Sequence, residues 1–391
     1  MKKILLGTTA LVAIGLVAGP AFASDPLKVT VGGNVVTGFY VIDADNGQFG
    51  SSYQDTKVAV VARNIDITAE GTLDNGMVAG VTAKLMLGSD FSNSTGTANN
   101  NGFATFRQLY TYLEGGFGRF ELGGTDGAAY KMHYTSPWFV PGNGVDSPNI
   151  YNGVSALTGT AEVRQSTFSL MATDANKVSY FTPRLAGFQL GVSYTPDTSN
   201  GFSNVKANGL GLISKNTGIQ QVFEVAANYA GTFSGVDMGV DGFYTTGDAP
   251  GVGGFGSTSG SPEEYGFGAN LGYAGFTLGG AWYQSNDLDY KRGVSAARNG
   301  YGAQVWTVGL SYATGPWTVG AAYLDAQDDS NTLAGRDGRK SKTIQVGGGY
   351  NLGSGVDVGL DVSFASNKHN NTWSSSKYES NSAGLVLAVA F

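Results

Sequence analysis

Val356-Asp357-Val358-Gly359-Leu360-Asp361-Val362-Ser363-Phe364 repeats with a period of two. The valines, Leu360 and Phe364 fall on one side, and Asp357, Gly359, Asp361 and Ser363 on the other. Successive side chains of an extended chain point to opposite faces, so the stretch reads as a strand with one apolar and one wet face. From Leu27 the same alternation sets Leu27, Val29, Val31, Val35 and Phe39 against Lys28, Thr30, Gly32 and Asn34.

Sixteen runs of this kind are expected, near 27–42, 57–72, 77–88, 104–114, 118–124, 176–184, 188–196, 219–230, 236–247, 263–273, 276–286, 302–313, 317–327, 339–350, 356–366 and 377–391. Most are long enough for a tilted strand to cross a bilayer, which takes about 9–11 residues. The connections alternate in length. Short ones such as Leu73-Asp74-Asn75-Gly76 and Thr314-Gly315-Pro316 are rich in Gly and Asn, as tight hairpins require. The long ones would all emerge at one end, the layout of an even-stranded barrel crossing an outer membrane.

The polar face carries Asp66, Glu70, Lys84, Asp237, Asp241, Asp357 and Asp361. Such groups are too costly to bury unpaired, so they are expected to line water while the apolar face meets lipid. A closed barrel of sixteen strands is wide enough for an aqueous channel and leaves no sheet edge in the membrane. Tyr112, Tyr229, Tyr273, Tyr312 and Tyr350 precede short turns, and Phe120, Phe188, Phe276 and Trp317 follow them. Together these nine are expected to form an aromatic belt at one interface.

The 391 residues include 61 glycines, 12 % aromatics, only 14 % charged residues and no cysteine. High aromatic content argues against disorder. Lys2-Lys3, the apolar run Ile4 to Val17 and Ala21-Phe22-Ala23 have the form of a secretory signal cleaved after residue 23, with the barrel occupying 24–391. Its removal takes the formal charge from −7 to −9 by loss of Lys2 and Lys3. No basic patch favours nucleic acid.

One connection is far longer than the rest. Thr125 to Ala175 holds Pro137, Pro141, Pro148 and the run Val140-Pro141-Gly142-Asn143-Gly144. Long structureless stretches inside compact domains are usually functional. This one is expected to fold into the lumen and narrow the channel. Its acids, Asp126, Asp146, Glu162 and Asp174, are candidates for the narrowest part, with Lys131 and Arg164 the only bases on it. Charged walls of a narrow pore select ions and orient dipolar solutes.

Candidate wall bases are Arg63, Lys84 and Arg107. Lys84 shares parity with Thr82, away from Val81, Ala83, Leu85 and Leu87. Arg107 would point inward if Tyr110 and Tyr112 point out. Arg63 shares a face with Ile65 and Ile67, so either a bulge shifts the register there or Asn64 takes the inward place.

Three stretches carry a family likeness. Gly115-Gly116-Phe117-Gly118-Arg119-Phe120-Glu121-Leu122-Gly123 is similar to the turn and strand that lead into the constriction loop of Gram-negative general porins. Tyr180-Phe181-Thr182-Pro183-Arg184-Leu185-Ala186-Gly187-Phe188, with Tyr194, resembles that family's strand pair after the loop. Phe391 resembles its C-terminal aromatic assembly signal. Gly124 and Thr182 depart from its usual Arg and Ser. The resemblance implies an all-β, sixteen-stranded transmembrane barrel in the bacterial outer membrane. It also implies a homotrimer in contact with lipid and lipopolysaccharide, passing ions and small hydrophilic solutes, with basic wall residues opposite acidic loop residues.

An alternative is a solute-specific channel in which Tyr130, Tyr134, Trp138, Phe139 and Tyr151 stack on a sugar ring. Those rings could instead wedge the loop against the wall. A third reading is a plugged structural barrel. No enzymatic motif is present: His133 and His369 are the only histidines, so a Ser–His–Asp constellation would have to use one of them. Gly347-Gly348-Gly349 lacks the following helix of a phosphate loop. No cofactor is expected. Asp43-x-Asp45 and Asp328-Asp329 could hold Ca²⁺ through loop oxygens, against the plainer reading of solvated acidic loops.

Overall fold

The computed structural model describes residues 27–45, 55–86, 105–148, 164–199, 218–248, 261–286, 302–328, 338–371 and 374–391. The expected signal segment, Glu162, Tyr151 and Asp329 lie outside them. Sixteen strands follow one another: β1 Lys28–Ala44, β2 Thr56–Thr72, β3 Val78–Met86, β4 Thr105–Gly115, β5 Gly118–Gly124, β6 Asn176–Phe181, β7 Phe188–Asp197 and β8 Gln220–Phe233. The second half is β9 Val236–Asp248, β10 Glu263–Tyr273, β11 Phe276–Asn286, β12 Ala303–Thr314, β13 Trp317–Asp328, β14 Arg339–Gly353, β15 Val356–Asn371 and β16 Ser374–Ala390. A single short helix, α1 (Ala128–Lys131), is described between β5 and β6.

Each strand pairs antiparallel with its sequence neighbours, and β1 pairs with β16 to close the barrel. Phe391 finishes the seam: Gly33 N–H donates to its carbonyl at 2.9 Å, and its own N–H donates to Gly33 O at 3.1 Å. Four of the tight turns use a small residue followed by glycine, both at positive φ: Ala186-Gly187, Ser234-Gly235, Ala274-Gly275 and Ser354-Gly355. That is the turn whose twist matches antiparallel strands.

The apolar side faces out. On β15, Val358, Leu360 and Phe364 are exposed, while Asp361, Ser363 and Asn367 are buried. The interface belt is present, with Phe120 against Tyr180, Phe188 against Tyr229, Phe276 against Tyr312 and Trp317 against Tyr350. Tyr112 is the exception among the nine expected members. It points inward, and its hydroxyl donates to Glu70 at 2.5 Å. A second belt was not anticipated. Tyr194, Tyr244, Tyr265, Trp282, Trp306 and Tyr323 ring the outer face towards the long connections. On β7, β11, β12 and β13 the two belts are six residues apart, in the pairs Phe188/Tyr194, Phe276/Trp282, Trp306/Tyr312 and Trp317/Tyr323. Six residues span about 20 Å of strand, comparable with the apolar band of an outer-membrane barrel.

Two irregularities change parity. In the β1–β2 ladder, Val36 faces Ala62 and Thr37 faces Val60, which leaves Val61 as an extra residue. In the β3–β4 ladder, Lys84 faces Gln108 and Leu85 faces Phe106, which leaves Arg107 extra. Such bulges are common where a barrel re-aims a side chain.

Candidate functional site

The polar inner face does not simply line water. Across β6 to β15 and on to β1, it holds the segment that follows β5. The neck of that segment is closed by Lys177 on β6, whose ammonium donates to Thr125 O, to Ala172 O at 2.5 Å and to Ala175 O at 2.9 Å. It thereby ties the outgoing chain to the returning one. Gln108 donates to Asp126 at 2.8 Å and to Asp174 at 2.7 Å, and Arg107 pairs with Asp174 at 2.7 Å.

From the neck the chain crosses strand after strand. α1 packs against β7, where Ser193 Oγ accepts the Ala128 N–H at 2.8 Å. Asp241 on β9 accepts the Tyr134 N–H at 2.7 Å. Ser136 Oγ accepts from Thr307 on β12, and Asn143 donates to Asp361 on β15 at 2.6 Å. Thus Asp241 and Asp361, expected to face water, are buried and serve as acceptors for the loop.

The approach is close because the wall is glycine there. A Cβ on Gly268 would stand 1.8 Å from Tyr134 O, one on Gly320 would stand 2.4 Å from the Phe139 ring, and one on Gly359 would stand 2.5 Å from Pro141 Cδ. Gly191, Gly239, Gly279, Gly309 and Gly347 continue this track beneath Met132, Tyr134, Thr135, Ser136 and Val140. These eight strand glycines therefore form a groove for the loop, a role apart from turn chemistry. Phe139 and Val140 are buried in it, which is the wedging role. Trp138 differs: it is 44 % exposed, its indole lying against Gly144.

The returning arm is fastened by Glu264 on β10. Its carboxylate accepts from Arg164 at 2.9 Å and Ser169 Oγ at 2.5 Å, while the Arg164 guanidinium lies 3.8 Å above the Tyr283 ring. Arg164 is thus a buried anchor. Asp146, too, is fully buried: it accepts the Thr167 N–H at 2.7 Å and the hydroxyls of Thr135 and Thr167, joining the two arms to each other. Burial lifts its carboxyl above the ordinary aspartate range, against the pull of those bonds. Both expected constriction residues are buried and already engaged, Arg164 with the wall at Glu264 and Asp146 within the loop.

His133 touches Asp241 Oδ2 through Nδ1 and Thr167 Oγ1 through Nε2, each at 3.0 Å. The order carboxylate, imidazole, hydroxyl is that of an acid–base relay. Here Thr167 is buried and its hydroxyl is given to Asp146, so the relay is sealed.

Lys84 and Asp66 are opposite each other on β3 and β2, on the inner face with Thr82 and Thr68. Arg107 reaches inward, but by its bulge, since Tyr110 and Tyr112 do not point out. Arg63 does not face the lumen. By register it shares the outer side with Val35, and Asn64 takes the inner place, bonded to Asn34 at 3.1 Å. Beneath α1, towards the short turns, a cavity of about 580 Å³ is lined by Arg119, Glu121, Lys131, Tyr134, Arg184 and Asn228. Burial lowers the Lys131 pKa, opposed by its pairing with Glu121, and raises that of Tyr130. Of the candidate Ca²⁺ ligands, Asp328 binds Arg339 and Asp45 accepts the Glu379 N–H, while Asp329 lies outside the described residues.

Sequence reasoning did not find Lys177, Glu264 or the glycine track. Parity places them inside but carries no sign of what they touch.

The model of the Gram-negative porin family matches residues 7–370. Curated relatives include an uncharacterised protein of Rickettsia bellii, 25 % identical over 57 % of this chain and 54 % of its own length. Another, from Rickettsia conorii, is 32 % identical over 36 % of this chain and 34 % of its own. The chain thus spans about half the length of the first and a third of the second. Similar solved folds include an anion-selective porin from Comamonas acidovorans (TM-score 0.58, 16 % identity, 93 % of this chain and all of that one). Others are the outer-membrane channel DcaP of Acinetobacter baumannii (0.61, 10 %, 94 % and 98 %) and the trimer form of OmpT from Vibrio cholerae (0.56, 13 %, 94 % and 100 %). With a closed sixteen-stranded barrel, an apolar exterior between two aromatic belts and a family match over nearly its whole length, the chain belongs to the Gram-negative porins and crosses the outer membrane as a multi-pass β-barrel.

Proposed function

We propose that the chain is a passive diffusion channel for ions and small hydrophilic solutes, not an enzyme. The observation that carries this is the one-sided seating of the loop. Its described residues are fastened to β4, β6–β15 and β1, while the inner face of β2 and β3 carries Asp66, Glu70, Thr82 and Lys84. Water then has a polar wall to follow, and solutes pass between it and the loop. Asp126 and Asp174 flank this path at the neck, already paired with Gln108 and Arg107. Glu162 belongs to the same loop and lies outside the described residues. Residues 1–23 are removed on export, and Phe391 serves assembly as well as the seam.

The working form is a homotrimer. Among the described residues, outward Tyr and Trp side chains run around β6–β14 and are missing from the outer face of β1–β4, where the outward aromatics are Phe39 and Phe106 and Arg63 points outward. That arc suits contact with another copy better than contact with lipid.

Trp138 supports a second reading, a channel preferring one ring-shaped solute, since it is the exposed aromatic among the loop's described residues. Planar-bilayer recording separates the two. A general channel gives current proportional to salt and no saturable block by any one sugar. Saturable block favours the second reading, and negligible current overturns both.

A further inference from the structure

Arg184 stands at the start of the tight turn between β6 and β7. That turn is closed in both directions: the Leu185 N–H donates to Phe188 O at 2.8 Å, and the Phe188 N–H donates to Leu185 O at 2.9 Å. From this fixed base the guanidinium reaches over the inner face. It donates to Gly187 O at 2.6 Å, to Gln189 Oε1 at 2.9 Å and to Asn228 Oδ1 at 2.8 Å. Asn228 is buried on β8 and donates in turn to Met132 O at 3.2 Å, which ties the group to the chain just after α1. An arginine has five N–H donors. Three are spent here, and two have no protein acceptor among the described residues.

Its charge is unmatched as well. All three acceptors are neutral, and among the described residues no carboxylate pairs with Arg184. The other two bases of the same cavity differ. Glu121 accepts from Arg119 at 2.9 Å and from Lys131, and Glu114 accepts from Arg119 at 2.9 Å. Two glutamates thus match two bases, and Arg184 is the positive charge left over. The cavity of about 580 Å³ lies within the range of small-molecule sites, about 300–1,000 Å³. Met132, Phe181 and Pro183 add carbon to its wall. It sits at the short-turn end, apart from Lys84 and Arg107 on β3 and β4.

We propose that this cavity binds a small organic monocarboxylate, with the acid group on Arg184 and the carbon body against Met132, Phe181 and Pro183. One carboxylate neutralises the one unmatched charge. A second would add an unmatched negative charge beside Glu114 and Glu121. Free phosphate would use the guanidinium and leave the apolar wall and most of the volume empty. The inference rests on the channel reading for the solute's way in, and it gives the solute-preferring form of that reading a chemical class at a site apart from Trp138.

The test is calorimetric titration of the full mature chain in detergent with benzoate, with benzamide, which keeps the ring and lacks the charge, and with isophthalate, which adds a second carboxylate. A hydrogen-bonded charge pair is the difference between the first two, so benzoate should bind at least about tenfold more tightly than benzamide. Isophthalate should bind no more tightly than benzoate, and inorganic phosphate at the same concentration should not displace it. Arg184→Gln should weaken benzoate by about the same factor. Lys340→Gln removes a charge from the exposed outer face and should leave benzoate binding unchanged. Semi-native electrophoresis checks that both variants are folded, and the benzoate–benzamide comparison needs no variant. Equal binding of benzamide, tighter binding of isophthalate, displacement by phosphate or full benzoate affinity in Arg184→Gln overturns the proposal. So does an equal loss in Lys340→Gln, which would be a response to net charge alone. Bilayer current is recorded on the same protein. A chain that binds benzoate but passes no current overturns the channel reading and leaves the site standing, and the reverse pattern removes the site and keeps the channel.

Discussion

Lys177 shows how one side chain can close a 51-residue excursion by its three protons. Each carbonyl it serves is buried, and a buried acceptor left without a donor costs about 1–3 kcal/mol. Lys177→Met keeps most of the stem and removes the donors. The neck should lose about 3 kcal/mol of local stability, read as faster amide exchange over residues 125–131 and 170–176 with β13–β15 unchanged. Unchanged exchange at the neck would mean that the staple is dispensable. Lys84 tests the opposite wall. Two unit charges about 4 Å apart in water interact by about 1 kcal/mol, so reversing one alters the energy of a passing ion by up to about 2 kcal/mol. Lys84→Glu should therefore raise the cation-to-anion permeability ratio several-fold, seen as a shifted reversal potential in a salt gradient. An unmoved reversal potential would remove Lys84 from the conduction path.

Among the elements, the strands were readable because their signal is local. The period of two placed β5, β10 and β11 to the residue, and most other ends within two or three. Parity held at Arg63, which keeps the face of Ile65 and Ile67 while Asn64 takes the inner place, but it missed the extra residue at Arg107, which reaches inward through its bulge and not by the alternation with Tyr110 and Tyr112. The loop was readable as a loop, but not its bonds. Gly268 and Tyr134 are 134 residues apart, and nothing in either neighbourhood announces the other. The glycine track is testable directly. Gly268→Ala sets a Cβ 1.8 Å from Tyr134 O, so the loop must shift and single-channel conductance should change. Gly242→Ala meets nothing nearer than 3.8 Å and should leave conductance as it was.

Asp146 gives the same element a pH response. Its folded pKa lies above the unfolded one because burial penalises the charge. Between those two values the folded loop keeps a proton that the unfolded chain has released. Loop stability should therefore fall as pH rises through that window and be greatest on its acid side. Asp146→Asn removes the titration, so amide protection at Thr167 should lose this pH dependence. A slope that persists in the variant would assign the response to other groups.

At the scale of the whole molecule, the outer circumference divides into three arcs, each with its own chemistry. β5–β14 carry the two aromatic belts, and on β14–β16 the exposed Lys340, Lys368 and Lys377 stand in one cross-strand row. β1–β4 carry no outward Tyr or Trp among the described residues, only Phe39 and Phe106, and Arg63 stands halfway along β2 on their outer face. An arginine facing hydrocarbon at mid-depth costs about 2–4 kcal/mol, falling towards the interfaces. A barrel that retains one there gains if a neighbouring copy covers it and supplies acceptors. Arg63→Glu keeps a charge on that face but reverses its sign, so acceptors that suit a guanidinium repel it. The trimer should dissociate at a lower temperature on semi-native electrophoresis, while the released monomer keeps the compact mobility of a folded barrel. Arg63→Leu separates charge from burial: it should preserve the folded monomer and weaken the trimer less than Arg63→Glu. If both variants dissociate at the wild-type temperature, β1–β4 do not form the contact and Arg63 faces lipid.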